Sequence, residues 1–93
     1  MSEKQFAKVM LVDDEEDFLT SLSQRLEVRG LSVTTVTRGE EAVDIAHNKE
    51  FDAIVIDLSM PGMDGLETLE KIKKDHPDAE IIMLTGHGSV QKG

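Results

Sequence analysis

"KVMLVDDEEDF", residues Lys8 to Phe18, joins an apolar run of strand character to five consecutive acids, Asp13 to Asp17. Such a run belongs inside a sheet, where its side chains leave water and its backbone pairs with neighbours. Dense negative charge at the tip of a buried strand is tolerable only where something offsets it. The rest of the chain repeats the alternation that this stretch begins. Short runs rich in Val and Ile are separated by longer segments with helical spacing, the signature of repeated βα units and a parallel sheet.

The first strand is expected over Lys8 to Val12, followed by a helix from about Glu15 to Arg29. Phe18, Leu22 and Leu26 recur there every four residues, with Leu19 beside them. Gly30 supplies the stop, because glycine takes the left-handed conformation beyond a helix end most easily. Ser32 to Val36, β-branched from Val33 onward, reads as a second strand polar enough for a sheet edge. A helix of about Glu40 to Asn48 offers Ala42, Val43, Ile45 and Ala46 as its apolar face. Asp52 to Ile56, "DAIVI", is a third strand, apolar on both faces as a central parallel strand should be. "DLSMPGMDG", from Asp57, is dense in turn formers and precedes a helix of about Leu66 to Lys74 carrying Leu66, Leu69 and Ile72. Pro77 disfavours a helical conformation at His76 and so ends that helix. Glu80 to Leu84, "EIIML", is the fourth strand, and "TGHGSVQKG" after it is too short for another packed element.

With 93 residues the chain is expected to form one domain over 1–93. No apolar run approaches the roughly 18 residues that span a bilayer, and MSEKQFAK lacks the apolar stretch of a secretory signal, so a cytoplasmic, non-membrane protein is expected. The absence of cysteine excludes thiolate catalysis and thiolate zinc sites. A net charge of −9 opposes binding to phosphate backbones, so these residues are not expected to bind nucleic acid directly.

In an open parallel sheet, ligands bind beyond the carboxyl ends of the strands. The first strand ends there at Asp13 and Asp14, the third at Asp57 and the fourth at Thr85. Singly each has a plain explanation: acids complement the positive end of a helix, Asp57 opens a turn, and Thr85 favours a strand. If the first and third strands are neighbours, however, three carboxylates meet at one site and their repulsion calls for a cation. All-oxygen ligation suits a hard divalent ion, and Mg²⁺ in particular. Met60 and Met63 are soft thioethers and do not fit that ion; they read as gap fillers or surface residues. His87 reads as a loop residue, and His47 and His76, near helix ends, look incidental.

"LVDDEEDF", "VIDLSMPGMDG" and "MLTG" together resemble the receiver domain of two-component response regulators, in order and approximate spacing across essentially the whole chain. The resemblance implies a flavodoxin-like, doubly wound α/β fold with strand order 2-1-3-4. It implies that Asp57 is the phosphoryl acceptor, that Asp14 is a direct Mg²⁺ ligand and that Asp13 helps to bind the ion, often through water. Ser59 would add its backbone carbonyl, and Thr85 would hydrogen-bond a phosphoryl oxygen. A sensor histidine kinase would be the donor, and an output domain or downstream protein the reader. Pro61, Gly62 and Gly65 suit a loop that aims a carbonyl at an ion. "TGHGS" resembles receivers attached to transcriptional activators of the enhancer-binding kind.

The sequence departs from that family at its end. A receiver continues through a fourth helix, a fifth strand carrying a lysine, and a fifth helix, none of which is found here. Lys92 lies seven residues beyond Thr85, too few for a crossover to a neighbouring parallel strand. The fourth strand would then present an open edge. Three expectations follow: a fragment of a longer protein, which is favoured; a second copy completing the sheet in a homodimer by strand exchange; or a degenerate receiver that binds partners without switching. A phosphohydrolase acting on external substrates is disfavoured, because related aspartyl-phosphate enzymes place an acid where this chain has Ser59.

Overall fold

The computed structural model describes residues 7–57 and 65–84. In chain order the elements are β1 (Lys8–Val12), α1 (Glu16–Val28), β2 (Ser32–Val36), α2 (Gly39–Asn48), β3 (Ala53–Asp57), α3 (Gly65–Asp75) and β4 (Glu80–Leu84). The four strands form one sheet in the order β2-β1-β3-β4, every pair parallel, which is the expected doubly wound arrangement.

Alternation along the strands sorts the core into two layers. Val9 and Leu11 face α1 and pack with Leu19, with Leu22, Leu26, Val33 and Val55 around them. Met10 and Val12 face the opposite way, into a larger layer with Ile54 and Ile56 from β3, Ala42 and Ala46 from α2, and Ile72 from α3. Fully burying a side chain such as Ile54 contributes about 1.5–3 kcal/mol, so a small sheet covered on both faces can hold its strands in register.

Helix α1 ends as its sequence requires. Gly30 adopts φ 91°, its N–H donates to the Glu27 carbonyl at 2.9 Å, and Leu31 N–H reaches back to the Leu26 carbonyl at 3.1 Å. These bonds satisfy carbonyls that the helix leaves without partners.

Two sequence expectations shift. Strand β3 runs one residue later than "DAIVI", because Asp57 pairs with Leu84 of β4. Asp52, freed from the strand, ties its base: Oδ2 accepts the Lys8 N–H at 2.8 Å, its N–H donates to the Lys8 carbonyl at 2.8 Å, and its carbonyl accepts the Glu80 N–H at 3.1 Å. In α3 the buried residues are Gly65, Thr68 and Ile72, while Leu66 is 54% exposed. Repeated three-residue steps drift around a helix of 3.6 residues per turn, so Leu66 lies roughly 120° from Ile72 and leaves the core face.

The two edges of the sheet differ in kind. Strand β2 exposes Ser32 and Thr35, whereas β4 exposes Ile82 and Met83 on opposite faces. Among the described residues no helix is long and apolar enough to cross a membrane.

Candidate functional site

Val12 of β1 lies in register with Ile56 of β3, so the next residue of each strand, Asp13 and Asp57, emerges at the same level on neighbouring strands. The topology therefore does what the sequence reading required of it. Asp13, Asp14 and Asp57 each bring a carboxylate oxygen to within 4.8 Å of the others.

The three acids are held differently. Asp13, 1% exposed, continues the sheet: its N–H donates to the Val36 carbonyl at 3.0 Å. One of its carboxylate oxygens, Oδ1, accepts the Glu15 N–H at 2.9 Å and so shapes the turn into α1. Glu15 stands at the N-cap of α1 and makes no side-chain cap bond; its own amide is held by Asp13, two residues before it. Asp57 is 3% exposed and its backbone is part of the ladder to β4. Asp14 is exposed and offers its carboxylate from the solvent side.

Three carboxylates with no imidazole or thiolate among them form a hard donor set, which fits an oxygen-preferring divalent ion. Two of the three are buried, where like charges repel more strongly than in water, so a cation among them would be favoured. The acids that follow, Glu16 and Asp17, occupy the first turn of α1 and complement its positive end. Ser59 and Thr85, the other two expected site residues, lie outside the described residues, as do Met60, Pro61, Gly62, Met63, His87 and Lys92.

Of the two histidines near helix ends, His76 makes a part-buried contact and His47 only an exposed one. They bridge α2 and α3 at the opposite end of the sheet, where His76 Nε2 meets the Ala46 carbonyl and His47 Nδ1 lies 3.3 Å from Asp75 Oδ2. A cleft of about 350 Å³ at that end is lined by Asp52, His76 and Pro77, among others, and by none of the three clustered acids. The sequence reading also passed over Arg38, which stands at the N-cap of α2, two residues beyond the end of β2. Its signal is positional: it is a base in a segment following a strand, which only the assigned strand ends make visible.

Residues 9–93 match the family described as response regulator receiver domain. Among curated relatives, the probable transcriptional regulator ycf27 of Guillardia theta is 41% identical over 83 residues, covering 89% of this chain and 32% of that protein. The transcriptional regulatory protein GlrR of Escherichia coli K12 is 38% identical over 84 residues, covering 90% of this chain and 19% of that one. The chain thus spans a third or less of the length of these relatives.

Solved structures agree. A response regulator protein from Burkholderia pseudomallei, with a phosphorylated aspartic acid, a calcium ion and citrate, superimposes with a TM-score of 0.82 at 32% identity, over 90% of this chain and 49% of that one. The receiver domain of a Pseudomonas aeruginosa PAO1 sensor histidine kinase, with magnesium coordinated in its active-site cleft, gives 0.81 at 28% identity, over 94% and 73%. A chain from the complex of histidine kinase ThkA with response regulator protein TrrA gives 0.81 at 32%, over 95% and 76%. A match of this extent, on a sheet wound in the expected order, places the chain in a family: it belongs to the response regulator receiver domains.

Proposed function

We propose that Asp57 accepts a phosphoryl group from a sensor histidine kinase in the presence of Mg²⁺, and that the chain acts as a phosphorylation switch for an output module or partner protein in the cytoplasm. The observation that carries this reading is the meeting of Asp57 with Asp13 and Asp14 inside 4.8 Å at the carboxyl end of a parallel sheet. The phosphorylated aspartic acid of the similar Burkholderia protein supports it.

Asp13, Asp14 and Asp57 would hold the ion, with the Ser59 carbonyl as a further ligand. Bound there, Mg²⁺ supplies neutralisation of charge on the phosphoryl oxygens. The chain's own residues do the rest. An Asp57 oxygen attacks phosphorus, an O–P bond forms as the P–N bond of the donor phosphohistidine breaks, and the electron pair stays on the imidazole nitrogen. Asp57 is presented for this by the β3 ladder, and Asp13 fixes the turn that places Asp14. Thr85 would donate a hydrogen bond to a phosphoryl oxygen and so report the modification. Water attacking the acyl phosphate returns Asp57 to a carboxylate and releases inorganic phosphate. The domain is regulatory and not a classical enzyme, because the group that reacts is its own side chain.

The curated relatives named above are transcriptional regulators much longer than this chain, which supports an output module in the same polypeptide. Intact mass spectrometry after incubation with phosphoramidate and Mg²⁺ tests the acceptor. The expected result is a gain of one phosphoryl group that is absent in Asp57→Asn. Equal labelling of that variant overturns the assignment.

A further inference from the structure

Charge is segregated along the axis of this sheet. Among the described residues, the strand tips and first helical turns at the carboxyl end hold nine acids, from Asp13–Asp17 through Glu40 and Glu41 to Asp57 and Glu67, and a single base, Arg38. The other described bases lie elsewhere. Lys8 opens β1, Arg25 and Arg29 close α1, Lys49 follows α2, and three lysines occupy the later half of α3. The remaining described residues set eight acids against these seven bases, so the carboxyl end, which a donor's phosphoryl dianion must approach, is by far the more negative part of the molecule.

Arg38 is placed to counter that field. Val36 pairs with Val12, and its carbonyl accepts the Asp13 N–H at 3.0 Å. Arg38 lies two residues beyond Val36 and Asp14 two beyond Val12, so the two residues follow neighbouring, in-register strand ends at the same end of the sheet. Its side chain is 74% exposed, and its ion contact among the described residues, Nε to Glu40 Oε1 at 3.9 Å, is long and solvated. The group is thus available to an incoming anion, and its planar fork suits phosphate.

Resting on the reading of Asp57 as phosphoryl acceptor, we infer that Arg38 is the residue through which this acid-rimmed site recruits an anionic phosphodonor. It draws the donor's phosphoryl group toward the mouth of the site without touching Asp57, so it is a positioning residue and not a catalytic one.

The test is the second-order rate of labelling by acetyl phosphate, a dianion at neutral pH, at saturating Mg²⁺. Transfer forms the Asp57 O–P bond as the donor's P–O bond breaks and acetate leaves with the electron pair. Wild type, Arg38→Gln, Arg38→Lys and Asp57→Asn are compared at ionic strengths of about 0.1 M and about 1 M, where the screening length falls from about 10 Å to about 3 Å. Arg38→Gln is expected to slow labelling about two- to threefold at the lower salt, and the difference is expected to vanish at the higher. Arg38→Lys restores most of the rate, and phosphoramidate, a zwitterion of lower net charge, shows a smaller effect. Equal rates for wild type and Arg38→Gln at low salt overturn the inference, as does a deficit that salt leaves unchanged or that lysine does not repair. Labelling of wild type but not of Asp57→Asn establishes the acceptor whatever Arg38 does, whereas an unlabelled wild type overturns both readings.

Discussion

The two ends of the sheet are built to opposite plans. At the carboxyl end, like charges are gathered: Asp13 and Asp57 are buried side by side with Asp14 beside them. At the amino end, groups are matched. Asp52 is bonded to Lys8 and Glu80, Ser32 N–H to the Ala7 carbonyl at 2.9 Å, and His76 to the last turn of α2. The contrast teaches where this small domain keeps its stability. Acids gathered at one end are compatible with a folded sheet because the bonded other end and the two apolar layers hold the strands in register.

Substitutions should therefore sort by end. The largest effect is expected for Asp14→Asn, which should raise the Mg²⁺ concentration for half-maximal labelling by at least the roughly 10–100-fold seen for lesser changes around metal sites. Its urea midpoint should stay the same or rise, because one like charge has gone. Asp52→Ala should do the reverse. Losing the carboxylate that accepts the Lys8 N–H should cost about 1–2 kcal/mol in urea unfolding, with labelling per folded molecule unchanged. If Asp14→Asn lowered the midpoint as far as Asp52→Ala, the division between the ends would be wrong.

Most of the fold was legible because its signals are local and redundant. Every element announced itself through an apolar run, a helical period or a stop such as Gly30, and the boundaries fall within a residue of expectation. The carboxylate cluster was legible at one remove, since strand order turns separate strand tips into one site. What escaped depends on three dimensions alone. Leu66 fits a three-residue pattern and yet faces solvent, because its angle relative to Ile72 matters and not its spacing. Asp52 looked like a strand residue, and His76 like a bystander, because their partners lie 44 and 30 residues away in sequence. Arg38 carries meaning only once the bases are mapped onto the ends of the sheet.

The smallest expected effect sharpens the account of the bonded end. His47 and Asp75 lie 3.3 Å apart, but their side chains are 71% and 35% exposed, and the pair is ionic only when the imidazole is protonated. Water competes for both groups and salt screens them, so holding two mobile side chains together gains little. His76 differs: its ring nitrogen meets a carbonyl of the last turn of α2, a group that the helix itself leaves without a partner. Asp75→Asn should therefore change stability by no more than about 0.5 kcal/mol at neutral pH, well below Asp52→Ala, and should leave labelling untouched. Urea unfolding of the two variants side by side measures this. A loss for Asp75→Asn as large as for Asp52→Ala would mean that ion pairing between α2 and α3, and not hydrogen bonding to the backbone, secures the amino end.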